Sequence, residues 1–198
     1  MKKNLITAIL MTVATTILLG IIYPLVVTGI SQVMFRDKAN GQLIEANGKV
    51  IGSRIIGQAF TGPGYFHPRP SAVSYDPMNS NGSQLGPTNQ KLIDRVKGDV
   101  AAAQAENPGQ PVPIDMVTTS ASGFDPEITP ANAAFQLPRV AKARNTSQAQ
   151  LQQLIAKHTS GRQWGFIGEP RVNVLELNLD LDRQFPVTKQ ADFHLPIP

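Results

Sequence analysis

Residues 4–35 read NLITAILMTVATTILLGIIYPLVVTGISQVMF, and these 32 residues include no charged side chain. An α-helix rises about 1.5 Å per residue, so a helix of this length reaches about 48 Å. The hydrocarbon core of a bilayer is only about 30 Å thick. The stretch therefore predicts a helix that crosses a membrane once, with its surplus length tilted, bent or emerging into water.

A cleaved signal peptide is the competing interpretation, with Lys2 and Lys3 as its basic start. The apolar run is longer than the usual apolar region of about 7–15 residues, and residues 31–35 (SQVMF) offer no small-x-small cleavage site. These two departures favour a retained anchor over residues 1–35.

The span has one small residue at every fourth position: Ala8, Thr12, Thr16 and Gly20. Residues at this spacing share one helix face, where a second membrane helix can approach closely. The alternative is that such residues are simply frequent in spans. Pro24 lacks an amide hydrogen, which predicts either a kink or the exit of the helix at this point.

The remaining 163 residues, 36–198, suffice for one domain with its own core. Removing Lys2 and Lys3 from the 18 basic residues leaves 16 against 14 acidic ones. With no basic stripe, nucleic acid is not an expected partner. The absence of cysteine excludes disulfides, thiolate catalysis and cysteine-bound metals.

Charge counting does not decide the orientation of the span, because Lys2 and Lys3 on one side nearly balance Arg36, Lys38 and Lys49 on the other. A long following domain translocates largely regardless of its charge. We therefore expect a cytoplasmic N-terminus and an extracytoplasmic domain over 36–198.

Local patterns in that domain predict an α+β fold. Asn47-Gly48 predicts a hairpin between two short strands. Residues 57–72 predict an ordered loop, because a disordered segment would rarely carry aromatics such as Phe60, Tyr65 and Phe66. Apolar spacing predicts a helix within 88–107, and the β-branched run over 112–119 predicts a strand that begins near Pro113.

Further along, Thr129 followed by Pro130 predicts a helix start, and Pro138 is expected to break or restart that helix. Ser147 with Gln150 forms a capping-box pattern for a helix that reaches His158. Residues 175–182 alternate leucine with polar residues, which fits a strand or a helix equally well. The tail over 184–198 is expected to be peripheral.

No pattern of catalytic or metal-binding residues stands out. His67, His158 and His194 share no ligand spacing, which argues against a zinc site. A Ser71-His67-Asp76 triad can be assembled on paper, but the nucleophile elbow G-x-S-x-G is missing. Asp180 and Asp182 would share one face of a strand and indicate a solvated edge, not an acid/base pair.

Several blocks, in order, carry a resemblance to a known family. After the span with Tyr23-Pro24 these are IGQAF at 56–60, YFHPRPSA at 65–72, GSQLGPTN at 82–89, SASG at 120–123, ITP at 128–130, PRVAKAR at 138–144 and VNVLELN at 172–178. Together they cover nearly the whole chain. The chain resembles the C subunit of the bacterial Kdp-type potassium-transporting ATPase.

The resemblance implies a non-catalytic accessory subunit in the bacterial inner membrane. Its partners would be a potassium-channel-like subunit, an ATP-hydrolysing subunit and a small single-span subunit. It implies no tightly bound cofactor, no metal and no catalytic residue. It further implies that the partner hydrolyses ATP, that potassium is the transported ion, and that the chain stabilises assembly and raises ATP affinity as a catalytic chaperone, with a role for ATP in a transient ternary complex.

In that setting the small-residue face would dock the anchor against a partner. Tyr65, Phe66, His67 and Arg69 are candidate contacts of the outer domain, since aromatics and arginine are typical of interfaces. The alternative is that these aromatics fill the domain's own core. An anchored hydrolase that uses His67 and a solute-binding module remain as other functions.

Overall fold

A computed structural model describes residues 1–46 and 48–186, and its contacts divide the chain into two units, Met1–Ser53 and Arg54–Pro198. Helices together with small antiparallel sheets confirm the α+β class. Most of the predicted peripheral tail, including His194, lies outside the described residues.

The first unit begins with a helix of 33 residues, Lys2–Met34, in which no residue is buried. It consists of α1 (Lys2–Thr15), a π-helical stretch (Thr16–Ile22) and α2 (Tyr23–Met34). Within the described part of the chain it is the one helix long and apolar enough to cross a membrane. A short α3 (Arg36–Ala39) follows it.

Pro24 does not end the helix. A proline ring in a regular α-helix clashes with the carbonyl four residues earlier, here that of Gly20. Directly before Pro24, the helix adopts the wider π-helical turn, in which backbone bonds reach one residue further. This local widening accommodates the ring, and the helix continues to Met34.

The predicted hairpin is present. Strand β1 (Leu43–Ala46) pairs antiparallel with β2 (Lys49–Ser53), and Ala46 faces Lys49 across the turn. Gly48 has a φ of +74°, the left-handed conformation that this turn requires.

The second unit packs helices against a three-stranded antiparallel sheet. Its helices are α4 (Gln90–Glu106), α5 (Pro130–Arg144), α6 (Gln148–Lys157) and α7 (Val174–Gln184). The strands β3 (Glu127–Ile128), β4 (Thr159–Ser160) and β5 (Arg171–Asn173) lie in the order β3-β5-β4. The core is formed by Phe66, Ile128, Ala133, Leu137, Val140, Ala141, Leu151, Leu154, Ile155, Val172, Val174, Leu177 and Leu181.

The predicted helix starts are confirmed. The Thr129 side chain accepts a hydrogen bond from the amide of Asn132. Ser147 and Gln150 form a complete capping box at the start of α6. The helix over 90–106 begins at the cap Asn89, inside the predicted range.

The ambiguous segment 175–182 is helical, so the strand interpretation was wrong. Asn173 caps α7, and Val174, Leu177 and Leu181 lie on the buried face at helical spacing. Because successive helical residues turn by about 100°, Asp180 and Asp182 point to different sides instead of sharing one face.

Two further predictions were wrong. Residues 112–119 contain a 3₁₀ turn, Ile114–Met116, in place of a strand, because the turn directs the side chain of Asp115 into the interior. Pro138 does not interrupt α5. The carbonyl that Pro138 leaves unpaired belongs to Ala134, an exposed residue, so water can replace the lost bond.

Candidate functional site

The best-organised polar constellation holds the loop over 62–70 against α5 and α7. Gly64 and Phe66 of this loop are buried and the loop has no strand partner, so its buried peptide groups need other partners. Side chains supply them. Four of them lie on α5 and α7: Gln136, Arg139, Arg144 and Asn178.

Two amides imitate the pairing of a β-strand. The Asn178 side chain accepts from the Phe66 amide at 2.9 Å and donates to the Phe66 carbonyl at 2.9 Å. The Gln136 side chain does the same for His67, at 2.7 and 3.0 Å. Both amide side chains are buried, so their full pairing avoids the cost of an unsatisfied polar group.

Arg139 fixes the start of the same loop. One Nη donates to the carbonyls of Pro63 and Tyr65 at 2.7 and 2.9 Å. Its other Nη donates to Gln136 at 2.6 Å, and Nε pairs with Glu106 at 2.8 Å. The guanidinium fork therefore ties the loop, α5 and α4 together.

Among the described residues, Arg144 has the most deeply buried basic side chain, which is 0% exposed. Its Nε donates to the Gly64 carbonyl at 2.7 Å, and Nη1 pairs with Asp182 at 2.7 Å. The guanidinium also lies over the Tyr65 ring, 4.6 Å from its centroid. A Cβ at position 64 would come within 3.2 Å of Nε, so glycine is the residue that permits this close approach.

A buried polar chain continues along α5. Asp115 accepts from the amide and hydroxyl of Thr129, at 2.8 and 3.0 Å, and from Asn132 Nδ2 at 3.0 Å. Asn132 Oδ1 in turn accepts from Gln136 at 2.7 Å. The N-terminus of α5 and the loop at His67 are thus connected through satisfied hydrogen bonds.

The structure separates the four candidate contact residues. The side chain of Phe66 is 0% exposed and belongs to the core, so for this residue the core alternative holds. Tyr65, His67 and Arg69 are half-buried and retain some access to the surface. Their role as partner contacts stays a prediction.

The side chains of Ser71, His67 and Asp76 do not form a catalytic triad. His67 Nε2 lies 2.9 Å from the Gly62 carbonyl, the Ser71 hydroxyl accepts from the amides of Val73 and Tyr75, and Asp76 binds Met78 and Asn79 in a turn. Among the hydrogen bonds of residues 1–46 and 48–186, none links any two of the three. The geometry does not support the hydrolase hypothesis.

His67 is expected to make the fold sensitive to mild acid. Burial, and then the nearby Arg139 charge, lower the pKa of His67 below its ordinary value of 6.5. The unfolded chain therefore binds more protons as pH falls below about 6.5, and stability decreases until the folded-state pKa is passed. Thermal unfolding of the full-length His67→Gln variant should consequently depend less on pH between pH 7 and 5 than that of the parent. Identical pH dependence in the two proteins would contradict this.

His158 lies in an ion-pair cluster instead of a ligand set. Its Nε2 is 2.9 Å from Asp180, which Lys157 also contacts at 2.7 Å. Hydrogen bonds from Lys157 and His158 hold the pKa of Asp180 well below its usual range. Residues 1–46 and 48–186 contain no group of three or more potential metal ligands.

Sequence reasoning missed the four side chains that hold the loop. Asn132 and Gln136 lie four residues apart beside Leu137 and Val140, so polar residues on a buried helix face were the available signal. The same signal at Asn178 required knowing that α7 is a helix.

On the long helix, the Thr12 hydroxyl donates to the Ala8 carbonyl at 2.9 Å. A Cβ built on Gly20 would lie 3.8 Å from Thr16 Cγ2, so these two positions remain on one face through the π-helical stretch. The packing role of this face stays a prediction.

Fold and site together define a class of protein: one N-terminal helix that could cross a membrane, followed by an α+β unit whose best-ordered polar groups hold a loop in place. The family model described as KdpC, K+-transporting ATPase, c chain, matches residues 5–183. The chain belongs to this family.

Individual relatives agree with the family match. A potassium-transporting ATPase KdpC subunit from Koribacter versatilis is 68% identical over 189 residues, which cover 94% of this chain and 98% of the relative. Proteins of the same name from Acidobacterium capsulatum and Methylobacterium nodulans are 53% and 50% identical, covering 91% and 92% of this chain and 98% of each relative.

Proposed function

We propose that this chain is the accessory C subunit of an ATP-driven, high-affinity potassium uptake complex in the bacterial inner membrane. The observation that carries the proposal is the family match over residues 5–183, together with a 68% identical relative named as a potassium-transporting ATPase subunit. In this proposal the chain is non-catalytic. Its partners are a potassium-channel-like subunit, an ATP-hydrolysing subunit and a small single-span subunit.

The subunit has two linked tasks: it stabilises the assembly, and it raises the affinity of the ATP-hydrolysing subunit for ATP. We place the N-terminus in the cytoplasm and the bulk of the chain outside. Cytoplasmic ATP then lies across the membrane from that bulk, so the effect on nucleotide affinity must pass through membrane helices as a coupling free energy. Coupling of this kind is reciprocal. If the subunit raises the affinity for ATP by some factor, ATP must raise the affinity of the complex for the subunit by the same factor.

The small-residue face of the span is the proposed contact in the membrane. Helices in lipid associate through close packing, which small side chains permit. Ala8, Thr12, Thr16 and Gly20 offer such a surface, since the threonine at 12 already satisfies its hydroxyl within its own helix. The stabilised loop presents Tyr65, His67 and Arg69 as the proposed contacts outside it.

Substituting Leu for both Ala8 and Gly20 should release the chain from its complex. The isolated helix has room at Gly20, because the nearest atom to an added Cβ is 3.8 Å away, so the extra volume obstructs a partner and not the helix itself. We expect most of the variant to be lost during purification of the detergent-solubilised complex through a tag on a partner. The apparent KM for ATP of the remaining complex should rise.

Gly29→Leu is the control for the Gly20 substitution, because it adds the same volume as Gly20→Leu at the other glycine of the helix, where an added Cβ meets no atom within 4 Å. Unchanged recovery and ATPase activity in the Ala8→Leu, Gly20→Leu variant would remove the packing role. Wild-type recovery without any ATPase subunit would remove the proposed function.

The orientation has its own test. In sealed right-side-out vesicles, added protease should cleave the large unit. Protection of that unit from the protease would reverse the proposed orientation.

A further inference from the structure

The connection between β4 and β5 projects an apolar tip from the second unit. All nine residues over 161–169 are exposed. Trp164 is 84% exposed, Phe166 is 71% exposed and Ile167 follows directly. The other aromatic side chains of residues 54–186 are buried or half-buried.

Hydrogen bonds make this tip a defined hairpin. Gln163 and Ile167 exchange backbone bonds at 2.8 and 2.9 Å, and only three residues lie between them. At the base, Arg162 donates to both carboxylate oxygens of Glu169 at 2.7 and 2.8 Å. A tip already held in one shape loses little conformational freedom when it binds.

The backbone at Trp164 is unusual for so large a residue. Its φ is +51°, in the left-handed region that glycine and asparagine tolerate and bulky residues rarely adopt. Gly165, the next residue, has a φ of +84°. If the hairpin only reversed the chain, glycine or asparagine would suit this backbone conformation better than tryptophan. The presence of tryptophan therefore indicates that its ring has a role.

The charge around the tip distinguishes two kinds of occupant. Loops that attach to anionic lipid carry surplus lysine or arginine. Here Arg162 is neutralised by Glu169, which itself is exposed and would face anionic headgroups. An apolar centre with a neutral, polar rim matches the anatomy of a protein interface, in which tryptophan is a frequent anchor.

We propose that Trp164 and Phe166 insert into an uncharged, apolar cleft on another subunit of the potassium-transporting complex. This inference rests on the proposed function and adds a further contact outside the membrane to those proposed for the span and for Tyr65, His67 and Arg69. The tip is the anchor, and Arg162 and Glu169 form its polar rim.

Photo-crosslinking in intact membranes tests the contact directly. In the full-length chain, Phe166→p-benzoylphenylalanine, co-expressed with the other subunits, should give on irradiation an adduct with one of them. Met78→p-benzoylphenylalanine is the matched control, because Met78 is a single exposed apolar side chain, 87% exposed, in the same unit. It should give no adduct with a subunit.

A second variant measures the strength of the contact. Trp164→Asn keeps a residue that tolerates positive φ and removes the ring. It should weaken retention of the chain in the complex at least about 10-fold, as expected for a hot-spot residue. Met78→Ser should leave retention unchanged.

Trp164 is the single tryptophan of the chain, so its fluorescence reports on this tip. In the full-length protein alone, in 3:1 phosphatidylethanolamine–phosphatidylglycerol vesicles, brominated acyl chains should not quench it; strong quenching would assign the tip to lipid. If the chain is recovered with the ATPase subunits, this inference alone would be overturned by two results together: no adduct from Phe166→p-benzoylphenylalanine, and undiminished retention of Trp164→Asn in the complex. A chain that is not recovered with them would overturn the proposed function.

Discussion

Phe66→Ala should lower the free energy of unfolding of the second unit by about 3–5 kcal/mol, the usual cost of truncating a fully buried phenylalanine. The ring is 0% exposed and belongs to the main core cluster. Asn178 holds both peptide groups of this residue, so the loop cannot easily shift to fill the space left by the ring. A well-held cavity is the costly case.

Thermal unfolding of the detergent-solubilised full-length protein, followed by near-ultraviolet circular dichroism, measures this effect. A loss of this size corresponds to a midpoint lowered by roughly 10 °C. Met78→Ala is the control and should shift the midpoint by less than about 2 °C, because Met78 is 87% exposed. A Phe66→Ala midpoint equal to that of the control would show that the ring does not support the core.

Arg144→Ala should lower the free energy of unfolding of the second unit by about 3 kcal/mol. Substitution removes charged hydrogen bonds to the carbonyls of Gly64 and Phe185, and each such bond contributes about 1.5–3 kcal/mol. The ion pair with Asp182 adds less, since that carboxylate is partly exposed to water. The loop at Gly64 would lose its attachment to α5.

Arg144→Lys should not restore stability, because an ammonium group cannot reproduce the planar fork that reaches both carbonyls and Asp182. The control is Arg183→Ala, at an exposed arginine on α7. Proteolysis within residues 57–72 gives a second measurement, and cleavage there should accelerate in the Arg144 variants. Equal midpoints and equal cleavage rates for Arg144→Ala and Arg183→Ala would contradict the role given to this guanidinium.

Structural features that depend on residues close together in the sequence could be predicted. The length of the uncharged run predicts the long helix, Thr129-Pro130 and Ser147 with Gln150 predict helix starts, and Asn47-Gly48 predicts the hairpin. Each rests on bonds or burial within a few residues, so neighbouring side chains suffice to specify it. The blocks from 56 to 178 likewise indicated the family that the comparisons then showed.

The errors fall where distant residues compete with local preference. Residues 112–119 have the composition of a strand. They form a turn instead, because the turn places the Asp115 carboxylate where it accepts a hydrogen bond from the Thr129 amide at the start of α5. Pro138 would end an isolated helix, but α5 is held by buried Leu137 and Val140 on either side of it. In both segments, tertiary packing outweighs the local propensity.

The sequence by itself therefore determined the membrane-length helix, the helix caps, the turn and the family. The tertiary structure alone decided that 174–184 is a helix, that Phe66 is core, and that Gln136 and Asn178 serve as partners for a loop some 70 and 110 residues earlier in the chain. The physical reason is distance along the chain. A cap is satisfied by its own neighbours, whereas a buried peptide group accepts whichever donor the completed fold brings beside it.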